Sequence, residues 1–402
     1  MRTGPPRIGP LRIGIDARTL SGRFTGDRTY WRGLLGGLAA VDTENEYFLY
    51  VKSPVEGDPP PGLGPNFHWR TVTTPTNDAA WMLFGFPRAL KADKIDVAHV
   101  QYNVPLLGCP CPVVTTIHDV SFKIHPNLFL PRDRWILNTL VPRSMQKAAA
   151  IVAVSESTRR DILRSYKAIP QEKVRVVLEA ADARFRPPPE GQETARALVN
   201  TRLGLDDRPY LLAVGVLQPR KNLAVLLDAF ALLKLGLKID GRPPSHRLLI
   251  AGKKGWLDTT DAELAALPDV VRADVVLTGY VADDDLPGLY GGADALCYPS
   301  RYEGFGLPPL EALACACPVL CSRSSSLPEV VGEAGILLPY GDSDAWARAL
   351  SKLLLSPAVS ARWRERGPAR AALFSWERAA RETLAVYQEA AGDKRAGGMG
   401  GA

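Results

Sequence analysis

Pro299-Ser-Arg-Tyr-Glu-Gly-Phe-Gly-Leu-Pro-Pro-Leu-Glu-Ala-Leu-Ala314 is the stretch from which the rest of the chain can be read. The short apolar run before it, Ala295–Tyr298, has the length and composition of a buried strand. A helix is predicted over Pro308–Ala316, and proline is tolerated in a first turn, where its missing N–H has no intrahelical acceptor. Gly304 and Gly306 lie between strand and helix. Strand, glycine turn and helix in that order leave backbone N–H groups and a positive dipole end where an anion such as a diphosphate can approach. Glu303 falls in the turn and Glu311 one turn into the helix. Both can accept hydrogen bonds from neighbouring hydroxyls, as a ribose or hexose presents them. The plainer alternative is a glycine turn capping a surface helix.

Outward from this stretch the same unit repeats. Short β-branched runs alternate with segments of helical period, the pattern of parallel α/β structure. In the first half the strands expected are Leu11–Asp16, Tyr47–Val51, Phe67–Val72, Ile95–Val100, Val113–His118, Ala150–Val154 and Val174–Val177. Helices are expected at Asp27–Ala40, Arg132–Ala149 and Glu156–Ser165, the last with Ser155 as N-cap. The segment Asp182–Glu193 carries Pro187-Pro188-Pro189 and reads as a linker. Beyond it the alternation restarts at Tyr210–Val216. The expected fold class is α/β, with two Rossmann-like, doubly wound domains. Their limits are residues 1–185 and 198–373, followed by a terminal helix at 374–391 packing back towards the first domain and a glycine-rich, disordered tail at 392–402. Ligands bind beyond the carboxyl ends of strands in such sheets, which places the expected site in an interdomain cleft.

Bulk properties agree. The chain has 402 residues, 46% hydrophobic and 23% charged, with a net charge of +6 that favours an anionic partner without choosing one. No apolar run is long enough to span a bilayer, and the first ten residues lack the apolar core of a secretory signal. Cys109-Pro-Cys111 and Cys315-Ala-Cys317 lack the spacing of zinc or redox sites, so the six cysteines read as buried thiols of a reducing cytoplasm. Nucleic-acid binding would rest on charge alone, since no basic patch with interleaved aromatics is present.

Three further motifs lie at strand-to-helix turns. Gly215-Val-Leu-Gln-Pro-Arg-Lys-Asn222 puts Arg220 and Lys221 before a helix, where cations oppose the dipole unless an anion is bound. Thr116-Ile-His118-Asp119-Val120-Ser121 puts a histidine at a strand end, with Asp119 as a loop cap. Ser21-Gly22-Arg23-Phe24-Thr25-Gly26 leads into a helix through two glycines that allow close backbone approach. By contrast, Asp283-Asp284-Asp285 imitates a D-x-D metal site but reads as the acidic start of a helix.

With these motifs the sequence resembles the retaining GT-B glycosyltransferases of family 4, particularly the bacterial mannosyltransferase-like members, over about residues 11–390. The resemblance implies an acceptor-binding N-terminal domain and a nucleotide-sugar-binding C-terminal domain. It implies that Glu311 binds the nucleotide ribose and that Glu303 lies beside the donor sugar and diphosphate. Backbone amides of Phe305, Gly306 and Leu307 would contact sugar and phosphates. Arg220 and Lys221 would clamp the diphosphate in place of a metal ion, and His118 would hydrogen-bond the transferred sugar. The loop holding Gly22, Thr25 and Gly26 would border donor phosphates and acceptor. No cofactor or metal is implied; the donor is a nucleoside-diphosphate sugar, with GDP-mannose favoured. The acceptor is a saccharide, a lipid-linked sugar or a small molecule. Two departures stand out: relatives place arginine where this chain has Val216, and glycine where it has Ala316.

Two other readings belong beside this one, a nucleotide-sugar epimerase of the same fold and a nucleotide-sugar-binding subunit without catalysis. A peripheral membrane contact is a further expectation, because Arg132, Arg134, Arg143 and Lys147 share a helix with Trp135, Ile136, Leu137 and Leu140.

Overall fold

The alternation of apolar runs and helical segments builds two parallel sheets in the computed structural model, which describes residues 9–21, 26–55, 59–73, 78–236 and 243–398. The chain divides into two units, Met1–Glu179 with Ser375–Ala402, and Ala180–Phe374.

The first unit holds a seven-stranded sheet in the order β3-β2-β1-β4-β5-β6-β7. Its strands are β1 (Arg12–Asp16), β2 (Glu46–Val51), β3 (Phe67–Thr71), β4 (Val97–Gln101), β5 (Val113–Ile117), β6 (Ala150–Ala153) and β7 (Val174–Val176). All neighbours are parallel. β4 and β5 are buried at every position, as a parallel sheet covered on both faces requires. Sequence periodicity locates all seven strands to within a residue or two, the usual uncertainty of element ends.

The helix Gly26–Val41 exposes no side chain at Gly33 or Gly37, and the last helix, Trp376–Gly398, docks there. A Cβ on Gly33 would lie 2.0 Å from Trp376 Cε2, and one on Gly37 would lie 2.3 Å from the Trp376 carbonyl oxygen. Further along that helix, the Tyr387 hydroxyl pairs with His99 Nδ1 at 2.6 Å, and His99 Nε2 with Thr116 Oγ1 at 2.8 Å. Burial and the charge of His118 push the His99 imidazole down to about 3, so it stays neutral and serves as core packing. The helix runs on to Gly398, past the end set by the glycine-rich composition of the tail.

The second unit holds a six-stranded parallel sheet in the order β10-β9-β8-β11-β12-β13. Its strands are β8 (Tyr210–Val214), β9 (Arg247–Ala251), β10 (Val275–Gly279), β11 (Ala295–Tyr298), β12 (Val319–Ser322) and β13 (Ile336–Leu338). The segment expected as a linker belongs to this unit. Phe185 stands edge-on to Tyr290 at 5.9 Å, and Pro188 packs on Gly291. The first unit therefore ends at Glu179, before the expected limit at residue 185. Proline rings satisfy an apolar surface without needing backbone hydrogen bonds, so a proline run marks an irregular path, not an unpacked one.

In both sheets the strand order reverses once, between β1 and β4 in the first and between β8 and β11 in the second. Such switch points open a crevice at the carboxyl edge, because the flanking crossovers run off in opposite directions.

Candidate active site

At the switch point of the second sheet, β8 leads into Gly215 and β11 into the Pro299–Glu303 turn. Gly215 takes φ 141°, and the Lys221 side chain lies across the place a Cβ would occupy, with Cε 3.0 Å from it. Lys221 and Arg220 come from the short 3-10 turn Pro219–Lys221, which Asn222 ends in the left-handed region. Asn222 ties this turn to the second loop. Its Nδ2 donates to the Pro299 carbonyl at 3.1 Å, and its Oδ1 accepts from Arg301 Nε at 3.0 Å. The Arg220 carbonyl in turn accepts from the Arg301 N–H at 2.9 Å.

The two loops meet at Glu303. Its Oε1 accepts from Lys221 Nζ at 2.7 Å, Ser300 Oγ at 2.6 Å and the Tyr298 hydroxyl at 3.0 Å. Arg220 Nη1 stands 3.3 Å from the other carboxylate oxygen. Burial pushes the Glu303 carboxyl up, but the charges of Arg220 and Lys221 and the hydrogen bonds from Lys221 and Ser300 outweigh it and hold the group at about 2. Two cations thus converge on one carboxylate where the two loops meet, a basic pair placed where an anion can approach. Beyond Glu303, Ser326 Oγ donates to the Glu303 and Phe305 carbonyls, fixing the turn that presents Gly306. Gly306 (φ 116°) precedes the helix Leu307–Ala314, so the amides of Phe305, Gly306 and Leu307 stand at a helix start, as expected.

Glu311 lies on that helix, buried, and accepts from the Tyr290 hydroxyl at 2.8 Å. Burial raises its carboxyl to about 7; the Tyr290 bond opposes this and the charges of Asp283 and Asp182 add to it. The helix ends earlier than expected, at Ala314, because Ala316 adopts φ 56°. Its N–H donates to Leu313 and that of Cys317 to Ala312, the paired bonds of a Schellman C-cap. The left-handed residue in that motif is usually glycine, which is the physical content of the departure at this position. Val216 lies against Gly255 as aliphatic packing.

The acidic triplet is engaged elsewhere. The Tyr280 hydroxyl donates to Asp283 at 3.2 Å, Arg184 pairs with Asp284 at 3.2 Å, and Arg202 pairs with Asp285. Among the described residues no cluster of three or more His, Cys, Asp or Glu is arranged to hold a metal ion.

In the first unit His118 follows β5, half-buried against Tyr30, whose ring stands edge-on at 4.9 Å. His118 Nδ1 lies 3.1 Å from Glu179 Oε1. Nε2 has no hydrogen-bond partner among the described residues and lies 3.8 Å from Asp27 Oδ1. Burial pushes the imidazole down, but the bond to Glu179 and the charges of Asp27, Glu179 and Asp119 together raise it. Asp119 caps its own loop, accepting from the Ser121 N–H at 2.8 Å. Gly26 begins the helix Gly26–Val41, while Gly22 and Thr25 lie outside the described residues.

Glu179, Tyr298, Ser300 and Tyr290 were not among the residues singled out from sequence. Tyr298 and Ser300 sit within and beside the opening stretch, and their positions at the end of a buried strand were the available signal. Glu179 is a carboxylate just beyond the end of β7, and no motif marks it.

Two parallel sheets with reversals at their centres, and an anion-ready loop pair at one of them, define a sugar-transfer enzyme of the GT-B kind. Residues 200–370 match the family described as glycosyl transferases group 1, and residues 39–184 match glycosyltransferase family 4. The chain belongs to this family and is a glycosyltransferase. It is 35% identical to the O-antigen chain mannosyltransferase B of Escherichia coli over 281 residues, covering 68% of this chain and 70% of that protein. It is 34% identical to the D-inositol 3-phosphate glycosyltransferase of Salinispora arenicola over 264 residues, covering 61% of this chain and 55% of that protein. The sucrose-phosphate synthase of Thermosynechococcus elongatus shares the fold, with a TM-score of 0.71 at 21% identity, over 94% of this chain and 98% of that one.

Proposed function

We propose that the chain transfers a mannosyl group from a nucleoside-diphosphate mannose, with a guanine nucleotide favoured, to the hydroxyl of a saccharide or lipid-linked acceptor, with retention and without a metal ion. The observation that carries this reading is the convergence of Arg220 and Lys221 on the buried Glu303 carboxylate at the switch point of the second sheet. Arg220 and Lys221 bind the diphosphate, and as the leaving oxygen gains charge they neutralise it, a stabilisation strongest in the transition state. Glu303, held ionised, faces the sugar side of the same group and stabilises positive character at the anomeric carbon. Glu311 accepts from the ribose hydroxyls. His118, anchored through Nδ1 to Glu179, presents Nε2 as a donor to the sugar. The mannose assignment is supported by the mannosyltransferase relative.

The test is incubation of the chain with GDP-mannose, UDP-glucose and ADP-glucose and a mannoside acceptor, followed by NMR of the new glycosidic bond. An α-mannosyl product from the GDP donor is expected. A β-linked product would overturn retention. Donor binding without transfer or hydrolysis would favour a binding subunit instead.

Peripheral membrane contact is part of the same proposal. In the helix Pro131–Lys147 only Val141, Ser144 and Met145 are buried, and Trp135 is 69% exposed beside exposed Arg132, Arg134, Arg143 and Lys147. A basic helix with an exposed indole suits an anionic bilayer. No helix among the described residues is long and apolar enough to cross a membrane.

A further inference from the structure

Glu303 and Glu311 belong to one strand–turn–helix unit and both are buried, yet their partners differ in kind. Glu303 meets two cations, Lys221 and Arg220. Glu311 meets a neutral donor, the Tyr290 hydroxyl, which bonds Oε2 at 2.8 Å. Its other oxygen, Oε1, has no hydrogen-bond partner among the described residues. A buried carboxylate with one oxygen tethered and the other open can still accept hydrogen bonds from a ligand.

Tyr290 is placed by the core and not by the site. It comes from the helix Leu286–Gly292, is 0% exposed, and shares a buried cluster with Leu296, Ala312 and Cys315. Phe185 stands edge-on to its ring at 5.9 Å. A phenol buried in this way needs an acceptor for its O–H, and Glu311 is the one it has. Burial and the Glu311 charge push the Tyr290 phenol well above its ordinary range, so it stays protonated and always has a proton to donate.

The other groups around Glu311 do not replace this bond. Asp283, just before the Tyr290 helix, and Asp182 both oppose the Glu311 charge. Arg184 favours it, but that guanidinium pairs with Asp182 at 3.2 Å and with Asp284 at 3.2 Å. Tyr298 on β11 and Cys315 after the Glu311 helix are kept neutral by burial. Tyr290 is therefore the direct hydrogen-bond donor that favours the anion against burial.

We propose that Tyr290 is a positioning residue for the nucleotide: it holds Glu311 by Oε2 as an ionised acceptor and leaves Oε1 to receive the ribose hydroxyls. The role rests on the reading of Glu311 as the ribose contact, and Tyr290 acts through that carboxylate. Without the donor the protonated carboxyl is favoured further, and nucleotide binding must expel a proton at a higher pH. One charge-assisted hydrogen bond corresponds to about one pH unit in that equilibrium. At high pH Glu311 is ionised with or without Tyr290, so the loss should vanish there.

The experiment is calorimetry on the full chain from pH 6 to pH 9 with GDP, UDP and ADP, each beside its 2′,3′-dideoxy analogue. The ratio of the two affinities isolates the ribose hydroxyls from base and diphosphate. The parent is expected to favour the ribonucleotide by at least about tenfold above pH 7, the scale of a hydrogen bond to a charged group, and less below it. Tyr290→Phe keeps the ring and removes the donor. Its preference should fall about fivefold at pH 7 and about tenfold at pH 6, and return to within about twofold of the parent at pH 9. Binding of the dideoxy analogue should not change at any pH. Incorporating 3-fluorotyrosine at Tyr290 keeps the bond with a more acidic phenol, and should move the inflection the other way, to lower pH. This second variant retains the buried hydroxyl and decides the matter if Tyr290→Phe does not fold. A Tyr290→Phe preference equal to the parent's throughout, or reduced equally at every pH, overturns the positioning role, as does an unmoved inflection in the fluorinated protein. A parent that binds ribonucleotide and dideoxy analogue alike overturns the ribose contact and this role with it. Absence of binding by all three nucleotides marks instead the failure of the transferase reading.

Discussion

Lys221 donates to Glu303 at 2.7 Å, so the cation expected to hold a diphosphate and the carboxylate expected to face the sugar are partners before any donor arrives. Removing the carboxylate charge therefore acts on both roles with opposite signs. In Glu303→Gln the cations lose their counter-charge, and the affinity for nucleoside diphosphate should hold or rise. Stabilisation of the anomeric carbon is lost, and single-turnover transfer should fall by on the order of 10²-fold, the scale of one electrostatic stabiliser. Calorimetry beside rapid-quench transfer reads both. Equal turnover in variant and parent would remove the catalytic role from Glu303.

Nucleotide affinity should rise with pH up to about 7. Burial holds the Glu311 carboxyl at about 7 in the free site. Ribose hydroxyls donate to its charged form, so its pKa falls on binding and a proton is released. Below pH 7 each unit of pH should weaken binding, by up to about tenfold, until the bound-state pKa is reached. Above 7 the dependence should flatten. Glu311→Ala should abolish the slope and lower affinity about ten- to a hundredfold, as a charge-assisted hydrogen bond contributes roughly 1.5–3 kcal/mol. A pH-independent Kd for nucleoside diphosphate in the parent would rule out the ribose contact.

The two sheets were legible because a parallel strand buried on both faces leaves a continuous apolar run, as in Val113–Ile117, and the helices between them leave a 3.6 period. The donor motif was legible because its glycines, prolines and glutamates are local in sequence. Glu179 was not, since its meeting with His118 depends on the return of a strand some sixty residues later (|i−j| 61) and on nothing near it in sequence. The proline segment misled for a different reason: composition reports the absence of regular hydrogen bonding, whereas packing of Phe185 and Pro188 is decided by the surface they meet. The helix Pro357–Ala371 was also unanticipated. It carries Pro368 in its interior, a residue that argues against helix, and only Gly367 of it is buried.

Ala316→Gly should stabilise the second unit. Ala316 sits at φ 56°, where a Cβ costs about 1–2 kcal/mol, while glycine gives back roughly 0.4–1 kcal/mol through the entropy of the unfolded chain. The net gain should be about 1 kcal/mol in urea unfolding, with an unchanged m-value. A loss of stability would show that the methyl contributes packing beyond its strain.

The Pro131–Lys147 helix should bind anionic vesicles. Sedimentation with phosphatidylglycerol vesicles is expected to carry down the parent at low salt and progressively less as salt screens the basic residues. Trp135→Ser removes a largely exposed indole, and should reduce bound protein several-fold with little change in the melting temperature. Failure of the parent to sediment at any salt concentration would leave this face as ordinary surface.

Transfer should survive EDTA. A diphosphate leaving group needs neutralising charge, and the candidates in this site are either a bound cation or the side chains already present. Arg220 and Lys221 converge on the Glu303 carboxylate just beyond β11, whereas Asp283, Asp284 and Asp285 are engaged by Tyr280, Arg184 and Arg202 at the start of a helix. If the basic pair supplies the charge, chelation should leave the rate unchanged within about twofold. Arg220→Ala should then lower single-turnover transfer by 10²-fold or more, in the range found for loss of one transition-state donor. Asp284→Asn should have little effect, because that carboxylate is exposed and its surface ion pair contributes about 0–1 kcal/mol. Loss of transfer on chelation that Mn²⁺ or Mg²⁺ restores would transfer the role from Arg220 and Lys221 to a metal ion.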